Sequence, residues 1–159
     1  PGLRGANRTG RPFTGDWAGD LLYATMGKFG FTRGTYDSRA DDGLELVNCL
    51  ISNAVRCVPP ENKPTLAEQK ACQPFLSGLI EQLPNLKVIL SLGKISHDAV
   101  VRTFGLKLSQ APFGHSAIHS LTDKLELIDC YHCSRYNTNT GRLTEEMFHQ
   151  VFEAVCARL

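Results

Sequence analysis

Apolar positions along the chain fall into two spacings. Between Asp16 and Phe29, Leu21, Leu22, Thr25, Met26 and Phe29 recur at intervals that place them on one helical face, and Asp16 stands where an N-cap belongs. Thr65-Leu66-Ala67-Glu68 has the form of a capping box and predicts a helix to about Leu83, where Pro84 stops it. Gly93 and Ser96 lead into a short helix ending near Gly105. A last helix begins near Thr144, with Glu145 and Glu146 favourable in its first turn. Leu86–Leu92 is a continuous apolar run, as a central parallel strand would be, Leu125–Asp129 reads as another strand, and Leu46–Val55 as a buried strand, after which Pro59-Pro60 and Pro64 force a loop. Alternating strands and helices predict an α/β fold, with a parallel sheet flanked on both faces. Polar loops near residues 5–15, 53–64 and 131–141 follow helix or strand ends. In open α/β sheets, ligands bind at the carboxyl edge of the strands.

Composition narrows the picture. A chain of 159 residues suits one domain, 1–159, with 42% hydrophobic and 21% charged residues. No apolar run approaches the ~18 residues needed to cross a bilayer. The polar, glycine-rich beginning lacks a signal-peptide pattern. The net charge of +1 neither demands nor excludes a nucleic-acid partner. Six cysteines without a secretory signal argue against a disulfide framework and leave a metal site or core packing.

Three segments carry candidate chemistry. Tyr131-His132-Cys133-Ser134-Arg135-Tyr136-Asn137-Thr138-Asn139-Thr140-Gly141-Arg142-Leu143-Thr144 puts a histidine just past a strand end, followed by donors suited to an anion. A solvated connection with a strand-capping histidine accounts for the same composition equally well. Gly5-Ala6-Asn7-Arg8-Thr9-Gly10-Arg11-Pro12-Phe13-Thr14-Gly15-Asp16 offers glycines for close backbone approach and an aromatic ring able to stack on a base, or to enter the core. Ile51-Ser52-Asn53-Ala54-Val55-Arg56-Cys57-Val58-Pro59-Pro60-Glu61-Asn62-Lys63-Pro64 places an amide before a proline-rich turn. Cys57 and Cys72 stand on either side of the start of the Thr65–Leu83 helix, whereas Cys49 and Cys156 sit on apolar faces.

All three segments resemble motifs of the iron–sulfur, family-five uracil-DNA glycosylases, in family order from Pro1 to about Thr144. The last is similar to His-Pro-Ser-x-x-Asn followed by Asn-Thr-x-Thr-Gly-Arg-Leu-Thr, with Cys133 in place of the usual proline. The first resembles Gly-Ala-Asn-Arg-Thr-Gly-Arg-x-Phe-Thr-Gly-Asp, and Pro1-Gly2 the tail of Gly-Leu-Ala-Pro-Gly. The middle one is similar to Ile-Thr-Asn-x-Val-Lys-Cys-x-Pro-Pro-x-Asn. The resemblance implies an α/β/α domain around a mainly parallel four-stranded sheet, whose N-terminal part lies outside this chain. It implies hydrolysis of the N-glycosidic bond of uracil, and of other deaminated bases such as hypoxanthine, in DNA. Family four is the nearest rival branch.

The roles it implies are specific. His132 stabilises the departing base and Asn7 positions the attacking water. Gly2, Gly5, Phe13 and Asn53 bind the flipped base. Phe13 stacks on it, and the Asn53 amide donates to O4 while accepting from N3–H. Ser134, Arg135, Asn137 and Arg142 contact DNA, with Arg8, Arg11, Arg56 and Lys63 as further backbone contacts. Cys57 and Cys72 supply two of the four thiolates of a [4Fe–4S] cluster, the other pair lying outside this chain. The expected partner is damaged DNA and the expected form a monomer, without a membrane partner, in a prokaryotic, nucleoid-associated cytoplasm. On this reading Asp16 is a cap, and Trp17 and the remaining histidines are structural. Two alternatives stand beside it: a lesion-binding module on the same scaffold that does not cut, and a small-molecule nucleotide hydrolase. The latter lacks the phosphate-binding glycine string it needs.

Overall fold

The computed structural model describes residues 5–159, the side chain of residue 62 excepted. Gly2 therefore lies outside the described residues. A single helical turn, α1 (Ala6–Thr9), precedes α2 (Trp17–Lys28), whose first turn is capped by Asp16 accepting from the Gly19 amide at 3.2 Å. Two short strands, β1 (Thr32–Arg33) and β2 (Glu45–Leu46), pair antiparallel. A 3₁₀ turn at Pro60–Asn62 leads to α3 (Leu66–Glu81). The capping box is present there, with Thr65 Oγ accepting from Glu68 N and Glu68 Oε2 accepting from Thr65 N. Then follow β3 (Val88–Leu92), α4 (Lys94–Thr103), β4 (Ile118–Thr122), β5 (Leu125–Cys130), α5 (Arg135–Asn139) and α6 (Glu145–Cys156).

The main sheet has the order β3-β5-β4. β3 runs parallel to β5, pairing Ser91 with Asp129 and Leu92 with Cys130, while β4 runs antiparallel to β5. β5 is central, and Leu127, Ile128, Asp129 and Cys130 are all fully buried. Alternation sends Ile128 and Cys130 into a core with Leu22 and Met26 of α2 and Phe148 and Phe152 of α6. Leu127 faces the other way, toward Val100 and Val101 of α4, with Leu76 of α3 packed against them. The result is three layers, α/β/α, held together by one doubly buried strand. Among the described residues no helix is long and apolar enough to cross a membrane.

Three expectations change. The main sheet has three strands among the described residues, and its pairings are divided between parallel and antiparallel, rather than four and mainly parallel. The unanticipated strand is β4, whose residues alternate between exposed and half-buried, as an edge strand does. The Leu46–Val55 run is not a strand beyond Leu46. Asn48 turns through φ 57°, which breaks the ladder, while the Val47 amide and the Cys49 thiol both donate to the Phe31 carbonyl. An apolar run alone does not distinguish a strand from buried irregular backbone. Finally, the polar stretch 131–141 contains the short helix α5.

α6 repeats its apolar positions at Phe148, Val151, Phe152 and Val155, the spacing of one helical face. Phe152 sits amid Phe29, Phe31 and Phe148, with ring centroids 5.7, 6.0 and 5.2 Å away. Phe148 is 0% exposed. Phe148→Ala is expected to destabilise the fold by about 3–5 kcal/mol, read from the denaturant midpoint; a loss below about 1 kcal/mol would mean this core is not tightly packed.

Candidate active site

β5 ends at Cys130, and two residues later the chain places His132 beside the N-terminus of α4. Gly93 makes that approach possible. Its φ of 96° suits glycine, and a Cβ there would lie 3.2 Å from His132 Cβ. From the other side, Asn137 Nδ2 donates to the His132 carbonyl at 2.8 Å. Cys133, standing in the proline position, is fully buried, and its thiol donates to the Ala18 carbonyl of α2 at 3.5 Å. The loop loses proline rigidity and gains a tether into the core. Ser134 caps α5 through the Asn137 amide. Asn137 therefore has a structural task, holding His132, in addition to the DNA contact expected of it.

The loop of residues 5–16 meets His132 through Phe13. The two rings stack with centroids 5.9 Å apart and planes at 29°. Phe13 has φ 53°, a left-handed backbone that a bulky residue adopts only when its surroundings enforce it. Tyr36 Oη donates to the Phe13 carbonyl at 3.2 Å, and Gly19 lets that carbonyl approach α2 so closely that any side chain there would collide with it. Tyr23 Oη donates to the Pro12 carbonyl at 2.7 Å. Arg11 lies 5.3 and 5.5 Å from the Tyr23 and Tyr36 ring centroids. It donates to Asp42 through two nitrogens, each at 2.7 Å, and to Thr14 at 2.7 Å. That bidentate pair holds the Asp42 carboxyl well below the usual carboxylate range. Arg11 is thus committed to bracing the loop and is not placed as a phosphate contact.

A cleft of roughly 320 Å³ is lined by Asn7 and Pro12 of the first loop and by Ile51, Ser52, Asn53 and Arg56, whereas Phe13 and His132 do not line it. Asn53 and the Phe13–His132 stack thus flank the same short stretch of the first loop, around Pro12. Gly5 is buried, and a Cβ there would run into the Asp16 carboxylate. Asp16, the cap of α2, also acts on His132. Burial pushes the His132 imidazole below its ordinary value, and the Asp16 charge opposes that shift. His132 is therefore a neutral imidazole at neutral pH. Its backbone partners are known, but its tautomer is not set by any of them.

Arg135 and Arg142 are exposed. Arg135 lies 5.6 Å from the Trp17 ring centroid and Arg142 4.5 Å from that of Tyr131. Arg56 covers the exposed Phe75 ring at 4.6 Å while lining the cleft. Trp17, expected to be packing, is 51% exposed, and its indole donates to Thr138 Oγ1 at 3.2 Å, bridging α2 to α5. Its place beside a first-turn cap was the only available sign of this surface position.

Cys57 is exposed and Cys72 is buried on α3. Among the described residues, no third cysteine, histidine or carboxylate gathers with them. Cys49 is tied to Phe31, and Cys130 and Cys133 are buried thiols, with Cys133 pushed up to about 12. Two thiols do not make the Cys₄ site that a [4Fe–4S] cluster requires. The described residues alone do not fit it.

The cleft carries the Asn7 and Asn53 amides and is joined through Pro12 to the stacked Phe13 and His132 rings, which do not themselves line it. Residues 1–156 match the family model of the uracil DNA glycosylase superfamily. A type-5 uracil-DNA glycosylase of Thermus thermophilus is 44% identical over 151 residues, covering 95% of this chain and 68% of the relative. A type-5 uracil-DNA glycosylase of Mycobacterium bovis is 38% identical over 154 residues, covering 96% and 58%. A type-4 uracil-DNA glycosylase of Sulfurisphaera tokodaii is 30% identical over 153 residues, covering 92% and 63%. The chain belongs to the uracil DNA glycosylase superfamily and, within it, to the type-5 branch.

Because the folded protein holds His132 neutral, the unfolded chain binds the extra proton first as pH falls. Stability should therefore decline below the ordinary imidazole range, about pH 6.5. Asp16→Asn removes the opposing charge and should move the His132 titration, followed by ring-proton NMR, to still lower pH. An unchanged titration would separate Asp16 from His132.

Proposed function

We propose that this chain carries the catalytic site of a DNA glycosylase that hydrolyses the bond between uracil N1 and deoxyribose C1′. The observation that supports it is the placement of Phe13, Asn53 and His132 around the first loop and its cleft. The bond is unreachable inside a stacked duplex, so the nucleotide must be extruded, at a cost of a few kcal/mol that is smallest for mispaired bases.

Each side chain then has one task. The Phe13 ring offers a face on which the base stacks. The Asn53 amide offers a donor and an acceptor to the uracil edge. As the glycosidic bond lengthens, the base becomes anionic and the sugar oxocarbenium-like. A neutral imidazole at His132 donates one N–H to the base O2 and stabilises that charge. The Asp16 carboxylate, whose charge acts on His132, favours the cationic sugar and orients water together with Asn7. An amide at position 7 contributes orientation and takes no proton. Arg135 and Arg142 provide exposed positive charge on the same side, suited to phosphates, and their truncation should flatten the salt dependence of binding by about one charge each.

The proposal extends to hypoxanthine, as the family resemblance of the three motif segments implies. Cys57 and Cys72 belong to a [4Fe–4S] site only with two further thiolates from outside the described residues. The reaction steps above involve none of them. The working partner is damaged DNA, engaged by a monomer in the cytoplasm of a prokaryote.

The deciding measurement is base release from a uracil-containing duplex, read by alkali cleavage of the abasic product. His132→Ala should lower the single-turnover rate by about 100-fold or more, while DNA affinity stays nearly unchanged. Full activity in that variant would remove His132 from the reaction, and no base release from the native chain would favour the lesion-binding reading. Phe13→Ala should raise KM and lower kcat together, since stacking holds the base before and during bond cleavage.

A further inference from the structure

Behind the His132 loop lies a second polar cluster, unused in the reaction just described. Asp129 of β5 is fully buried. Ser91 of β3 donates to its Oδ1 at 2.7 Å, and Nδ1 of His97 on α4 lies 2.7 Å from the same oxygen. Nε2 of His119 on β4 lies 3.2 Å from Oδ2, and the Gly114 amide points to that oxygen at 3.4 Å. Four separate parts of the fold thus send one group each to a single carboxylate.

Counting donors and acceptors determines the protons. His97 Nε2 lies 2.8 Å from the Ala111 carbonyl, which only accepts, so Nε2 carries a hydrogen. Nδ1 faces a carboxylate oxygen. Two acceptors at 2.7 Å repel unless a cation lies between them. A divalent metal fits poorly, because two ligands on one tetrahedral zinc stand about 3.3 Å apart. A proton fits the gap. Ser91 Oγ and the Gly114 amide donate to the carboxylate and so favour its ionised form, which leaves the proton on the imidazole. The groups around His97 include two titratable ones, Asp129 on β5 and His119 on β4, whose ring centroid is 5.5 Å from that of His97. Phe113 packs on the His97 ring and the Ala111 carbonyl lies against Nε2, while Ser91 reaches the shared Asp129 oxygen.

The cluster is joined to the site by segment 111–117. Phe113 packs on both His97 and Tyr131, at 5.4 and 6.2 Å between centroids. The His115 ring stacks on Tyr131 at 4.9 Å, and its Nδ1 accepts the Tyr131 amide at 3.3 Å. Ser116 N donates to the Asp129 carbonyl at 2.8 Å. Tyr131 is thus fixed immediately before His132.

We propose that His97, Asp129, His119 and Ser91 form a buried imidazolium–carboxylate hub that locks segment 111–117 against Tyr131 and so sets where His132 stands. The hub rests on the glycosylase reading of His132. Its members are positioning residues and touch no substrate.

The test uses the whole chain. In ¹⁵N-histidine-labelled protein, His97 should show protons on both ring nitrogens at neutral pH, and metal analysis should find no stoichiometric zinc or iron at these residues. A single ring proton, or a bound metal released only by Asp129→Asn, overturns the hub. Asp129→Asn should lower kcat by about 100-fold, with KM for uracil-containing duplex within about twofold, and should shift the His132 ring resonances. Ser91→Ala, which removes one donor and keeps the pair, should do the same more weakly and serves where Asp129→Asn does not fold. A folded variant with unchanged kcat and unmoved His132 resonances overturns the proposal. If the native chain releases no uracil, the glycosylase reading fails. The His97 ring protons and the coupling of Ser91→Ala to the His132 resonances still judge the hub.

Discussion

Burial of β5 on both faces is the constraint from which the site follows. Its residues from Leu127 to Cys130 are sealed between the α2–α6 layer and the α3–α4 layer, so the strand cannot shift without opening both cores. Whatever follows Cys130 is therefore delivered to a fixed point at the carboxyl edge of the sheet. His132 is delivered there, and Gly93, Asn137 and Cys133 then hold it from three directions.

The first loop is fixed by different physics. Phe13 occupies a backbone conformation that costs of order 1–3 kcal/mol, and the surrounding contacts maintain it. The Arg11–Asp42 pair, the two tyrosine hydroxyls and the close approach at Gly19 together over-determine the loop. The outcome is an aromatic ring held at 29° to the His132 imidazole. Pre-organisation of this kind is more valuable than an extra contact, because nothing has to be ordered during the reaction.

Electrostatics separates two histidines that look alike in a sequence. His132 is half-buried and held neutral, with Asp16 as the nearby opposing charge. His97 is fully buried, between the Asp129 carboxyl at Nδ1 and the Ala111 carbonyl at Nε2. One arrangement suits donation to a departing anion. The other suits a fixed strut.

Much of the fold was legible in the chain. The capping box at Thr65–Glu68, the Asp16 cap and the apolar run of β3 each depend on neighbours within a few residues, and periodicity reports such local facts well. The three motif segments were likewise visible as strings, and with them Phe13, Asn53 and His132. The edge strand β4 and the irregular 47–55 segment were not, because edge pairing and a single left-handed residue at Asn48 leave little trace in hydrophobic pattern. Nor were the double role of Asp16, the exposure of Trp17, the commitment of Arg11 to Asp42 and the gathering of four groups on Asp129. Those relations join residues up to 121 positions apart, as Trp17 and Thr138 are. The sequence by itself determined which side chains are available and which segments curl or extend. Only the tertiary structure decided which of them face one another across a desolvated gap, because burial, charge pairing and the need to satisfy each buried polar atom are properties of assembled neighbours.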